Sequence, residues 1–375
     1  MLVKKITIIF LFAAVLFPGA SVYGQANNGG FQTLPYEIQE TAPGMILVEG
    51  GLLENKKDTL KPFYISATEE TNGQYLAYLH WIKNCYSAAT YNQLLPDTTV
   101  WLRENITDSL KTFLVANYLR SAAFKDYPVV GVSPEQVLKY AAWKTDRVNE
   151  MILIREGILD FMYDPTDSSN TFSIDAYLGG KWTGLVLNPI PSFDVNGGER
   201  QVRMEDGIFM PRFRMVTENE WKYAALAIGD QKHKYIITPK EISNKKFDKR
   251  DYYGYLFLKR KVAKNGQALL WSNGIDLRPV YNTGANNYFI DGLYENVSEW
   301  VLDSGGRYVA AGGSWKASLP YYAAIYTPGA GDKCYEYPCP FPAFTGSTPS
   351  AAIGFRLAMD YLGTLDPRLK RRKVK

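Results

Sequence analysis

Three cysteines are the residues of this chain with the clearest capacity for chemistry. Cys334 and Cys339 bracket the turn YEYP, and Cys85 lies in the apolar stretch YLHWIKNCY. The close spacing of Cys334 and Cys339 predicts a disulfide between them in a compartment where thiols oxidise. Cys85 is then left over, and its apolar neighbours predict a buried structural thiol.

The two histidines give metal and triad chemistry few candidate residues. His80 falls within an apolar helical pattern and is expected to be packed, whereas His233 lies in a charged segment and is expected to face solvent. A His-rich zinc site or a Ser/His/Asp triad therefore has little choice of residues. The sequence also contains no glycine-rich phosphate loop followed by Lys and Ser or Thr.

Three capping boxes mark the helices that would position these residues. In each box a hydroxyl side chain at the helix start is followed three residues later by Gln or Glu, which satisfies two free backbone donors. The pairs are Thr71 with Gln74, Ser133 with Gln136, and Thr217 with Glu220.

The helix after Ser133 is the longest predicted element. It has Pro134 at its first position and should run past Arg155. The residues expected on its solvated face are Asp146, Arg147, Glu150, Arg155 and Glu156. The segments MILVEGG, KPFYISATEET and FRMV have the apolar patterns of strands.

Composition predicts a globular, exported protein. The chain of 375 residues is 46% hydrophobic and 14% aromatic, which suffices for a substantial core. Its net charge of +4 is small and gives no nucleic-acid footprint. Lys4 and Lys5 precede an apolar run too short to span a bilayer, which predicts a signal peptide over residues 1–24. With no cysteine near the cleavage point, we expect no lipid anchor.

The rest of the chain is predicted to contain a leader, one domain with two insertions, and a tail. A polar leader is predicted over residues 25–40, one domain over 41–363 and a basic tail over 364–375. Within the domain, residues 159–212 and 229–264 are rich in loop-forming or charged residues and are predicted to be insertions. Ordered loops of this length tend to be functional or to face a partner.

Several motifs of the chain resemble the formylglycine-generating enzyme (sulfatase-modifying factor) family. They are FYISATEETNGQY, RMVTENEWKYAA, ENVSEW, GGSW and the strand GFR. The resemblance implies an α+β fold of the C-type-lectin-like type, with little regular structure and long loops.

The resemblance also makes predictions about site residues. Active members carry two copper(I)-binding cysteines just after GGSW, and these positions fall on Ala317 and Tyr322 here, which predicts a noncatalytic protein. In the family, the ENVSEW block holds a structural calcium ion through side-chain and backbone oxygens. The corresponding oxygens here belong to Asn296 and Glu299, so calcium is the one cofactor that the resemblance suggests.

A closer resemblance links the chain to the gliding-motility lipoproteins GldJ and GldK. It is carried by LPDTTVWLRE, DYPVVGVS and above all TDRVNEMILIREGIL. It implies a noncatalytic structural or assembly component of a gliding-motility or type IX secretion apparatus. Its partners would be other proteins of that apparatus, and its location the periplasm beside the outer membrane, or the cell surface.

Two other functions fit the sequence. A relocated copper site at Cys334 and Cys339 would make the protein an oxidase-like enzyme of the same fold. Exposed tryptophans would instead suit an extracellular module that binds glycans or peptides.

Overall fold

The computed structural model describes most of the region predicted to form the domain. The described residues are 41–53, 58–160, 171–192, 195–226, 269–283, 285–286, 288–293, 295–316 and 347–363. Helices and a mixed sheet confirm the predicted α+β class. The helices are α1 (Asn72–Cys85), α2 (Ala88–Leu94), α3 (Asp108–Asn117), α4 (Pro134–Arg155), α5 (Ile174–Leu178) and α6 (Glu218–Leu226).

All three predicted capping boxes form. Thr71 and Gln74 cap α1, and Ser133 and Gln136 cap α4, each through a reciprocal pair of backbone to side-chain bonds. At the start of α6, the Thr217 N–H donates to Glu220 and the Glu220 N–H donates to the Thr217 hydroxyl. α4 ends at Arg155, and Gly157 follows in the left-handed conformation (φ +72°), so this helix is slightly shorter than predicted.

A seven-stranded sheet joins the two ends of the described chain. Its order is β1, β4, β11, β7, β8, β10, and β9 also pairs with β8. Two small hairpins, β2 with β3 and β5 with β6, lie outside it. The strands are β1 (Met45–Val48), β2 (Gly51–Leu52), β3 (Thr59–Leu60), β4 (Phe63–Ser66), β5 (Ile190–Pro191), β6 (Glu199–Arg200), β7 (Phe213–Thr217), β8 (Ser298–Leu302), β9 (Tyr308–Ala311), β10 (Ile353–Gly354) and β11 (Leu357–Asp360).

The chain reverses direction between β10 and β11, in the middle of the sheet. β10 and β7 both run parallel to β8, whereas β11 is antiparallel to β7. Gly354 allows the Val129 backbone to approach closely, because a Cβ there would lie 2.8 Å from the Val129 carbonyl oxygen. Phe355 and Arg356 occupy the bend and are fully buried.

The main apolar core lies between the sheet and helices α1 and α4. It contains stacked and edge-on aromatic pairs, among them Tyr75 with Tyr140 and Tyr140 with Phe355. Trp300 of β8 is buried there, as predicted, and its indole N–H donates to the Val132 carbonyl oxygen at 2.9 Å.

The first insertion packs against the C-terminal half of α4. Asp146 accepts a bond from the Ile174 N–H, and the Arg147 guanidinium donates to the Phe172 carbonyl and lies 4.4 Å from the Trp81 ring centroid. Arg147 also pairs with Glu150 at 2.9 Å. The prediction that Asp146, Arg147 and Glu150 are solvated is wrong, because the insertion partly covers that face. Arg155 and Glu156 are exposed, as predicted.

Candidate functional site

The sheet bend buries one ion pair completely. The Arg356 guanidinium donates to both oxygens of the Glu299 carboxylate, at 2.7 Å from Nε and 2.6 Å from Nη2. Arg356 is 0% exposed and Glu299 is 1% exposed. A bidentate pair of this kind fixes the position of the bend relative to β8, and its two charges neutralise each other.

Further bonds connect this pair to the surrounding elements. Arg356 also donates to the carbonyl oxygens of Ser66, at the end of β4, and Asp291. The Trp221 indole N–H on α6 donates to Glu299 at 2.8 Å. Elements far apart in sequence therefore meet at one polar group, which we call the Arg356 hub: Arg356, Glu299 and Trp221.

A second buried carboxylate lies beside the hub. Glu69 is 0% exposed, accepts one bond from the Asn296 carboxamide at 3.0 Å, and keeps its other oxygen, Oε2, without a partner. Burial raises the pKa of Glu69 well above its ordinary value. The Arg356 charge lowers this pKa, and the Glu299 charge raises it. Glu69 therefore holds a proton more tightly than an ordinary carboxylate does.

Asn296 is fixed by its own backbone and side-chain contacts. It adopts the left-handed conformation (φ +70°), which Asn tolerates better than most residues. Its Oδ1 accepts from the Arg278 N–H at 2.9 Å, and its carbonyl accepts from the Trp315 N–H.

These contacts bear directly on the predicted calcium ligands. Both Glu299 oxygens accept bonds from Arg356 or Trp221, and the Asn296 oxygen accepts an N–H. A calcium ion needs six to eight oxygens that face it freely. The donors around Asn296 and Glu299 do not fit such an ion, so calcium stays a prediction that this geometry does not support. Within the described residues, no three His, Cys, Asp or Glu side chains group as a metal site.

A third polar group was not predicted from the sequence. Glu70 accepts the Tyr140 hydroxyl at 2.8 Å and the Lys144 ammonium at 2.5 Å, beside a cavity of 40 Å³. The cavity has room for about one water molecule. Lys144 neutralises the buried carboxylate, and the two bonds connect α4 to the chain before α1.

The other predicted residues divide into those that the structure describes and those that it does not. Cys85 is buried, as predicted. The prediction that His80 is packed is wrong: it lies on the exposed face of α1, opposite Tyr78 and Leu79, and contacts Asn84. Outside the described residues lie the remaining predicted positions, Ala317, Tyr322, His233, Cys334 and Cys339.

Arg356 and Glu69 are the site residues that the motifs alone did not identify. A sequence signal for Arg356 exists, because it is the only charge within the apolar run AAIGFRLAM and a buried charge needs a partner. Its partner Glu299 is 57 residues away, and no local pattern reveals that pairing.

The hub binds parts of the chain to each other. Its hydrogen bonds run to strands, to α6 and to loop carbonyls, and its two charges neutralise each other. This chemistry stabilises a fold and offers no activated group to a substrate. Across the part of the chain that the structure describes, no helix is long and apolar enough to cross a membrane.

Comparisons with known proteins found similar solved structures and one matching family. The structure described as "Crystal Structure of CarF" is 16% identical, with a TM-score of 0.39 over 85% of this chain and 99% of that chain. The structure of Treponema denticola variable protein 1 is 15% identical, with a TM-score of 0.37 over 84% of this chain and 95% of that chain. Curated protein sequences give no match. Residues 30–361 match the profile of the sulfatase-modifying factor enzyme 1-like domain, the family to which this chain belongs.

Proposed function

We propose that the protein is a noncatalytic structural or assembly subunit that acts by binding other proteins. The observation that carries the proposal is how residues 145–159, the segment TDRVNEMILIREGIL, are used. Thr145 and Asn149 bond the backbone at Phe213 and Met210, while Asp146 and Arg147 bond the insertion near its start. This segment attaches the insertion to α4 near Phe172 and near Met210. The insertion can therefore present a surface of fixed conformation to a partner.

That surface carries apolar side chains. Val186 pairs with Leu159 across a short antiparallel bridge. Its neighbours Leu185 and Leu187 therefore project from the opposite side, and they are 60% and 46% exposed. Exposed leucines on a firmly held insertion suit contact with a partner protein better than contact with solvent.

Residue types at two positions support a noncatalytic role. The positions that correspond to the family's copper-binding cysteines are Ala317 and Tyr322. Alanine has no ligand atom, and a phenol is a poor ligand for copper(I), which prefers thiolates. The Arg356 hub is consistent with this proposal because its polar groups are committed to one another.

The proposed setting is a gliding-motility or type IX secretion apparatus. It is supported by the resemblance of TDRVNEMILIREGIL and its companion motifs to GldJ and GldK. In this proposal the protein is exported by its signal peptide and acts in the periplasm, held at the outer membrane by its partners.

The test is affinity purification of the tagged protein from gently solubilised envelopes of the native bacterium, followed by mass spectrometry. We expect outer-membrane secretion or motility proteins to be recovered in a fixed ratio to the tagged chain. Recovery of the protein alone would contradict the assembly role. Metal analysis of the purified protein is the matching control for the enzymatic alternative, and stoichiometric copper would favour it.

A further inference from the structure

Trp271 is a half-exposed tryptophan that follows a buried leucine. Trp271 is 50% exposed, although Leu270 beside it is fully buried with Ile275 and Leu277. The N–H groups of Asn273 and Ile275 donate to the Leu270 carbonyl, and that of Gly274 donates to Trp271. This closed turn holds the backbone of Trp271 in place, with the indole half exposed.

An arginine and two carboxylates lie beside the indole. The Arg278 guanidinium carbon is 5.9 Å from the Trp271 ring centroid. It bonds both oxygens of Asp276, at 2.9 and 2.8 Å, and reaches Glu295 at 3.4 Å. The backbone of Arg278 is anchored to Asn296. We call Trp271, Asp276, Arg278 and Glu295 the Trp271 surface.

The charges of the Trp271 surface do not balance. Two carboxylates share one guanidinium, and Asp276 receives the shorter bonds. Lys316 follows Trp315, whose N–H donates to the Asn296 carbonyl, and its ammonium is paired with Glu104 at 2.5 Å. Burial raises the pKa of Glu295, the Arg278 charge opposes this rise, and the Asp276 charge adds to it.

We propose that the Trp271 surface binds a Lys or Arg side chain presented by a partner protein. A cation over the exposed indole gains a cation–π contact, for which tryptophan is the best aromatic partner. Arg278 lies beside the indole and reaches Glu295, so the charge of this carboxylate would also attract a cation bound at the indole. This inference concerns a different surface from the insertion and holds whether or not the protein is an assembly subunit.

The probe is a labelled peptide, acetyl-LKRRKVK-amide, and its uncharged counterpart acetyl-LQQQQVQ-amide. Binding to the purified protein is measured by fluorescence anisotropy at two salt concentrations. We expect the basic peptide to bind, the uncharged peptide not to bind, and the affinity to fall as salt screens the charges. The probe has the sequence of residues 369–375, so it also tests the chain's own tail as an occupant.

Two double variants distinguish peptide binding at the Trp271 surface from binding to acidic side chains elsewhere. Trp271→Ala with Glu295→Gln should weaken peptide binding by roughly tenfold, the combined effect of one exposed cation–π contact and one surface ion pair. Tyr86→Ala with Glu156→Gln is the matched control, because it removes an equally exposed aromatic ring and a carboxylate elsewhere. The control should bind like wild type, and thermal melting of both variants verifies that they are folded.

Three results would overturn the proposal. Equal binding by wild type and the Trp271/Glu295 variant would mean that the peptide binds elsewhere. Binding that is seen only after removal of residues 364–375 would mean that the chain's own tail occupies the surface. Binding of neutral oligosaccharides, lost in Trp271→Ala, with no binding of the basic peptide would make it a glycan site.

Discussion

At the scale of single residues, Gly292 shows how closely the chain packs around the buried carboxylate of Glu69. Gly292 has a φ of +75°, and a Cβ built there would lie 2.4 Å from the Glu69 carboxylate. Gly292→Ala therefore combines left-handed strain with a buried clash. We expect it to lower the free energy of unfolding by about 2–4 kcal/mol, measured by urea denaturation.

Gly306 provides the matched control for this substitution. Its φ of +76° is nearly the same, but no atom lies within 4 Å of a Cβ built there. Gly306→Ala should cost only the backbone term, about 1 kcal/mol. Equal losses for the two variants would show that the contact with Glu69 contributes nothing.

Glu69 itself predicts a pH dependence of stability. Its pKa is raised above the ordinary value of 4.5, so the folded state holds this proton more tightly than the unfolded chain does. The stabilisation is therefore complete below pH 4.5 and is lost as pH rises towards the folded pKa. Glu69→Gln keeps an oxygen for Asn296 but cannot titrate.

The measurement compares urea denaturation of wild type and Glu69→Gln at several pH values between 5 and 8. We expect the stability of the variant, relative to wild type, to increase steadily with pH. Parallel pH profiles would contradict the assignment of a raised pKa to Glu69.

At the scale of elements, Gln136 does more than complete a capping box. Its Oε1 accepts from the Ser133 N–H, and its Nε2 donates to the carbonyls of Gln93 and Leu95 at the end of α2. Gln136→Ala removes the hydrogen bonds of the Ser133 N–H and of the Gln93 and Leu95 carbonyls. We expect a loss of about 2 kcal/mol in the free energy of unfolding, measured by urea denaturation.

Gln74 is the comparison residue, because it occupies the same position in the capping box of α1. The structure shows its bond to the Thr71 N–H at 2.7 Å. Gln74→Ala should cost about 1 kcal/mol, close to the usual value of one capping interaction. A loss as large as that of Gln136→Ala would mean that the bonds to α2 add no stability.

The elements also show what sequence reasoning can and cannot reach. The capping boxes and the strands around MILV and FYIS were predicted because their signals are local, and the family motifs pointed to the family that residues 30–361 match. The pairing of Glu299 with Arg356 was missed because it depends on a chain reversal inside the sheet. The face of Asp146 and Arg147 was misassigned because helical spacing cannot show that a distant segment will cover it.

At the scale of the whole molecule, the described insertion packs one side against the domain and exposes the other. Phe172 and Tyr177 on its inner side form an apolar cluster with Leu153 of α4 and with Ile158, which follows α4. Its outer side exposes Leu185 and Leu187. Inner contacts stabilise the fold and outer ones are free for a partner, so substitutions on the outer side should separate binding from stability.

Replacing both outer leucines, Leu185→Ser with Leu187→Ser, tests this separation. If the insertion docks a partner protein, recovery of the co-purifying proteins should fall by at least roughly fivefold, the effect of losing a modest hot spot. The melting temperature should stay close to that of wild type, because both side chains are already largely exposed. Quantitative mass spectrometry of the affinity-purified material measures the first effect, and a thermal melt of the isolated protein measures the second.

The control is the double variant Leu52→Ser with Leu102→Ser, which removes two leucines that are 58% and 52% exposed but lie outside the insertion. It changes the exposed apolar surface by the same two side chains, so it should leave the recovery of partners unchanged. Equal losses in the two variants would attribute binding to general surface hydrophobicity. No loss in either would place the docking surface elsewhere on the molecule, because the insertion leucines would then contribute nothing that a serine cannot replace.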